Sequence, residues 1–139
     1  MLDGLALDRV LSDVRVVAVV GLSDKPWRPS YGVAEYLRQA GLQIVPVNPL
    51  LAGKIVLGAP AYASLLDIPR EIRIDVVDIF RRSELVAPIV DDAIARGDAR
   101  VVWMQEGVVN EAAAARARDA GLMVVMDACL AVQHRALTR

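Results

Sequence analysis

The chain has 139 residues, 55% hydrophobic and 24% charged, with 17 acidic against 16 basic groups. That is the length of one domain, and it lacks the basic excess of a nucleic-acid or membrane-surface binder. One Cys (Cys129) and one His (His134) exclude an internal disulfide and the usual four-ligand zinc sets, and leave a His-based triad only a residue near the C-terminus.

The opening Met-Leu-Asp-Gly-Leu-Ala-Leu-Asp carries acids where an export signal needs bases, so the expected location is the cytoplasm. Mean hydropathy is +0.40. The longest apolar stretch, Val16–Leu22, has only 7 residues, against the ~20 of a membrane-spanning helix. The apolar content is therefore expected in a core, a subunit interface or both.

Leu5–Leu11 reads as a short helix. Val14–Val20 is the first of five apolar runs, followed by Leu42–Val47, Ile74–Phe80, Arg100–Met104 and Leu122–Met126. They are rich in Val and Ile without strict alternation, as parallel strands are when helices cover both faces. Ser30–Ala40 reads as a helix, with Val33 and Leu37 one turn apart, Ser30 as its cap and Gly41 closing it. The connection Gly53–Gly58 holds a weak strand near Lys54–Leu57, and a short helix is expected around Ala63–Asp67. Asp75 and Asp78 interrupt the third run, which is expected to be less uniformly buried or to use its acids at its ends.

Ser83–Arg96 is the clearest helix. Leu85, Val86, Ile89, Val90, Ala93 and Ile94 form one apolar stripe, Asp91, Asp92 and Arg96 lie off it, Ser83 is the expected cap and Gly97 closes it. Asn110–Ala120 follows, capped by Asn110, with Ala113, Ala117 and Ala120 inward and Gly121 closing. The residues after Cys129 read as a helical or irregular tail.

Three times a helix ends in Gly shortly before a strand, the αβ half of a repeated unit. The expected architecture is a single α/β domain over residues 1–139, with its core at about 8–132 and a tail at 133–139. It is a doubly wound, mainly parallel sheet flanked by helices on both faces. Right-handed crossovers give the strand order 3-2-1-4-5, strand 3 being the weak segment near Lys54–Leu57. Val14–Val20 and Ile74–Phe80 then meet at the switch point, where the crevice beyond their carboxyl ends is the default ligand site.

Candidate site residues gather at that crevice. After the first strand comes Gly21-Leu22-Ser23-Asp24-Lys25-Pro26-Trp27-Arg28-Pro29-Ser30. Gly21 permits a sharp turn, Ser30 opens a helix whose N-terminus attracts anions, and Lys25 and Arg28 add positive charge. The plain alternative is a turn glycine with solvated bases. A G-x-G-x-x-G pattern from Gly21 fails at Ser23 and Pro26, and the second strand ends Val47-Asn48-Pro49 instead of in an acid for a ribose diol. Both features count against a nicotinamide dinucleotide. Phe80-Arg81-Arg82 closes the third run, where two arginines suit phosphate, unless they pair with Asp24 or Asp78. Gln105 and Glu106 are expected to face the crevice, with Gly107 turning the chain. Glu106 lacks a visible partner for general base work, and Cys129 reads first as a structural thiol.

These motifs recur in one order: Gly21-Leu22-Ser23 with Arg28-Pro29-Ser30-Tyr31, Val45-Pro46-Val47-Asn48-Pro49, Leu57-Gly58, Asp67-Ile68-Pro69, Asp75-Val76-Val77-Asp78-Ile79-Phe80-Arg81-Arg82, Trp103-Met104-Gln105-Glu106-Gly107 and Met126-Asp127-Ala128-Cys129. The series resembles the small single-domain CoA-binding protein family, itself similar to the CoA-binding domain of the succinyl-CoA synthetase alpha subunit. The resemblance implies a Rossmann-like fold and, as cofactor, coenzyme A or an acyl-CoA. By position, Gly21, Ser23, Lys25 and Arg28 would hold phosphates, Val47, Asn48 and Pro49 would border adenosine or pantetheine, and Phe80, Arg81 and Arg82 would close the pocket. The chain departs from the family at Glu106 and Ala128, where a less acidic and a basic residue are common. The related ligases use a phosphorylated histidine from a second domain, so binding without catalysis is the expected function. The implied partners are a small nucleotide ligand, with neither nucleic acid nor membrane, and either a second copy of the chain or a separate ligase or transferase. An NAD(P)-type enzyme or redox sensor is the alternative.

Overall fold

Short strands and crossover helices alternate along the chain in a computed structural model that describes residues 4–137. Helix α1 (Gly4–Asp13) precedes β1 (Val16–Val20), α2 (Pro29–Gln39) and β2 (Gln43–Val47). A small excursion carries β3 (Ile55–Val56) and β4 (Ala59–Pro60). The second half runs β5 (Val76–Ile79), α3 (Val86–Arg96), β6 (Val101–Met104), α4 (Glu111–Asp119), β7 (Met123–Val125) and α5 (Leu130–Leu137). The main sheet is parallel throughout, ordered β2-β1-β5-β6-β7. Among the described residues no helix is long and apolar enough to cross a membrane.

The pleat sends alternate residues to two cores, as parallel strands covered on both sides require. Ala18, Val20, Val77, Ile79, Val102 and Met104 pack with Val86, Val90, Ala113 and Ala117 of α3 and α4. Val17, Val19, Val76, Val101 and Trp103 pack with Leu7, Leu11, Ala34, Leu37 and Leu130 of α1, α2 and α5. The alanines of α4 let it lie close on the sheet.

The weak strand does not join the main sheet. Leu57 and Gly58 both take positive φ, 50° and 78°, the requirement of a tight two-residue hairpin turn. Ile55 and Val56 therefore fold back antiparallel on Pro60 and Ala59 instead of extending the sheet beyond β2. Tyr62 takes that flank, forming a parallel bridge to Val47. The helix expected around Ala63–Asp67 is a single 3-10 turn at Leu65–Asp67.

Two expected caps do other work. The backbone N–H of Ser23 donates to Ser30 Oγ at 3.0 Å, while α2 begins with Pro29 and takes no side-chain cap. Ser83 Oγ accepts from the Val109 N–H at 2.9 Å and opens a 3-10 turn before α3. Asn110 caps α4 as expected, accepting from the Ala113 N–H at 3.0 Å.

Asp75 and Asp78 part company. Asp75 Oδ2 accepts from the N–H groups of Arg15 and Val16, each at 2.9 Å, tying β5 to the entry of β1. Asp78 is 0% exposed in mid-strand, not at an end. Its strand neighbours in register are Val19 and Trp103.

Candidate functional site

The carboxyl ends of β1 and β5 diverge into loops, and the crevice opens between them. Gly21 takes φ +87°, and a Cβ there would lie 3.0 Å from the Phe80 carbonyl oxygen and 3.1 Å from Arg81 Cδ. Its N–H donates to the Val47 carbonyl at 2.7 Å, so this glycine locks three strand ends together. Gly21→Ala is expected to cost about 1–2 kcal/mol from the left-handed backbone alone, with the carbonyl contact adding to it. Urea unfolding measures this, and a loss below about 0.5 kcal/mol would contradict it.

Three pockets open around this point. The first, about 470 Å³, is lined by Gly21, Ser23, Asp24, Lys25, Arg28, Pro29, Ser30, Asn48, Leu50, Leu51 and Phe80. The second, about 240 Å³ and mostly apolar, shares Gly21 and is lined by Val47, Pro49, Ala63, Leu65, Arg81, Leu85 and Ile89, with Ser64 and Asp92 at polar positions. Burial raises the Asp92 carboxyl above its ordinary pKa, and Asp91 and Asp67 add to this. The third, about 280 Å³, shares Pro29 and Phe80 with the first and is also lined by Gln105, Glu106 and Cys129.

The first pocket is built by local bonds. Ser23 Oγ accepts from the Lys25 N–H at 3.0 Å, and the Arg28 N–H donates to the Lys25 carbonyl at 3.0 Å, so both bases sit on one tight loop. Asn48 Nδ2 donates to the Leu22 carbonyl at 3.1 Å, and Asn48 Oδ1 accepts from the Leu50 N–H at 2.9 Å. Asn48 thus staples the two loops, a role hidden in the sequence. Lys25 lies 4.0 Å from Asp24, a separation at the limit of an exposed pair.

The structure brings Gly21, Ser23, Lys25, Arg28, Ser30, Asn48 and Phe80 to the first pocket, and Val47, Pro49 and Arg81 to the second. Leu22 is fully buried in the core and reaches the site only through its carbonyl. Arg82 points outward to Glu84 at 3.6 Å and lines none of these pockets, and it pairs with neither Asp24 nor Asp78. Gln105 lines the third pocket but is 4% exposed. Its Oε1 accepts from the Leu130 N–H at 3.0 Å, fixing the start of α5. Gly107 lines none of them, and its N–H donates to Asp127 Oδ1 at 2.7 Å. Cys129 is half-buried. His134 Nδ1 lies 3.2 Å from the Tyr36 hydroxyl, on the α2–α5 contact.

A parallel sheet doubly wound by helices, with its crevice at the β1–β5 switch point, defines a Rossmann-like α/β protein. The chain belongs to the CoA binding domain family, whose model matches residues 15–135. It is 41% identical to Bacillus subtilis YneT over 128 residues, 92% of this chain and 91% of YneT. A Thermus thermophilus structure superposes with TM-score 0.91 at 33% identity, covering 98% of this chain and 99% of that one. A Pyrococcus horikoshii structure gives TM-score 0.91 at 37% identity, covering 99% and 94%. At fold level only, it is similar to part of a Ca. Korarchaeum cryptofilum acetyl-coenzyme A synthetase, at TM-score 0.70 and 23% identity, with 86% of this chain matching 26% of that one.

Proposed function

We propose that the chain binds coenzyme A or an acyl-CoA at the carboxyl ends of the parallel strands, without catalysis of its own. The observation that carries this reading is the pairing of two pockets across Gly21. One gathers Lys25, Arg28, Ser23 and Ser30 beside the N-terminus of α2, where helix dipole and bases favour phosphate. The other is mostly apolar and suits the flat adenine ring. The family match and the acetyl-coenzyme A synthetase neighbour support the same ligand. Asn48, spent on two backbone bonds, is poorly placed to read the ribose diol of a nicotinamide dinucleotide. The one histidine lies at Tyr36 and lines none of the three pockets, and in this reading acyl transfer is the work of a separate ligase or transferase subunit. A cytoplasmic setting goes with this reading.

Thermal shift tests it. Coenzyme A at 100 times its Kd stabilises by about 2.7 kcal/mol, roughly 5–12 °C for a domain of this size. Arg28→Ala should shrink the shift. No shift at millimolar coenzyme A, or a shift only with NAD(H), would overturn the proposal.

A further inference from the structure

We infer that the third pocket takes the thiol or acyl end of the ligand and that Glu106 makes it reject acyl groups ending in a carboxylate. The inference rests on the CoA reading above and adds a substrate class to it. The pocket adjoins the phosphate-side cavity, with Pro29 and Phe80 lining both. Its volume, about 280 Å³, suits a short chain better than a second nucleotide. Val33 and Val108 supply further apolar walls, and Gln105, Glu106 and Cys129 complete the lining.

The backbone that carries Glu106 is held on both sides. Its neighbour Gln105 is fixed by the bond from the Leu130 N–H. On the other side Gly107, at φ +82°, donates its N–H to Asp127 Oδ1 at 2.7 Å. The Val108 N–H closes the turn on the Gln105 carbonyl at 2.9 Å. Neither Lys nor Arg lines this pocket, whereas Lys25 and Arg28 stand in the adjoining cavity. The two cavities thus differ in sign, bases where phosphates would sit and an acid where the acyl group would end. A free thiol, an acetyl or another short neutral acyl group meets no opposing charge there. A succinyl group brings a second carboxylate beside Glu106 with no counter-charge in the lining, and the like charges repel.

Titration calorimetry of coenzyme A, acetyl-CoA and succinyl-CoA against the wild-type chain and Glu106→Gln tests this. The wild type should bind acetyl-CoA about three- to ten-fold more tightly than succinyl-CoA. Glu106→Gln should close most of that gap, and added salt should narrow it in the wild type, because Glu106 is solvent-exposed. Each comparison is a ratio within one protein, so a general change in affinity does not disturb it. Equal wild-type affinities, or a gap that survives in Glu106→Gln, would overturn the inference and leave the CoA reading standing. Binding of none of the three would overturn both.

Discussion

Replacing Arg96 with Met is expected to cost about 3–5 kcal/mol of folding stability, the range for removing one partner of a buried ion pair. The Arg96 side chain is 2% exposed and lies 3.0 Å from Asp98 Oδ2. Its Nη1 donates to the carbonyls of Leu65 and Ile68 at 3.1 and 2.7 Å, and its Nη2 to that of Ile72 at 2.8 Å. One guanidinium thereby holds the whole connection between the excursion and β5 against the end of α3. Met keeps much of the stem packing but leaves those carbonyls and Asp98 without their donor. Burial works against the Asp98 charge, yet the bonds from Arg96 and from the Ile74 N–H prevail and lower its pKa. The stability Asp98 contributes is therefore present above pH ~3.9, its unfolded pKa, and lost as pH falls through the lower folded value. Urea unfolding of Arg96→Met at neutral pH measures the loss. A cost under about 1 kcal/mol would show that water replaces the guanidinium without penalty.

Replacing Asp78 with Val is expected to act in the opposite direction, raising stability by about 1–3 kcal/mol, the penalty of a buried polar group without a partner. Neither carboxyl oxygen of Asp78 has a hydrogen-bond partner, and burial raises its pKa well above the ordinary value. The folded state keeps a proton that the unfolded chain releases near pH ~3.9. By linkage, the stability associated with that proton is full below this pH and is lost as pH rises toward the folded pKa. Val matches the β-branched neighbours Val76 and Val77 and removes the titration. The melting temperature at pH 7 should rise by roughly 3–10 °C, and the decline of stability above pH ~4 should flatten. A variant less stable than the wild type, with the decline intact, would mean that the carboxyl is solvated or bonded in solution.

The periodic parts of the fold were legible because they are local. The Val- and Ile-rich runs, the stripe on α3, the glycines closing helices and the β1–β5 switch point follow from spacing and backbone preference. What escaped depends on partners far along the chain. Arg96 lies off the apolar stripe of its own helix, yet it is buried by carbonyls 24 to 31 residues away. Ser30 and Ser83 have the right identity for caps, but their hydroxyls accept from Ser23 and Val109 instead. Asp78 reads as a break in a strand, and only the assembled sheet shows it enclosed between Val19 and Trp103. At the crevice, the placing of Gly21, Lys25 and Arg28 around one pocket was readable from a single loop. The outward turn of Arg82 and the stapling role of Asn48 required the folded chain. The Leu57-Gly58 pair was on view, and its turn chemistry would have identified the hairpin that removed a strand from the expected sheet.

That hairpin and the segment after it also govern how the sheet can meet other chains. An open strand edge is a template onto which another chain can add. At β2 the Tyr62 N–H donates to the Pro46 carbonyl at 3.0 Å, and the Asn48 N–H to the Tyr62 carbonyl at 2.9 Å. Pro46 itself has no N–H to offer. The opposite edge, β7, is three residues long and is followed by Asp127 at φ 56°, which turns the chain off the strand direction. Both borders are short or interrupted, which disfavours edge-to-edge pairing of this sheet with another chain.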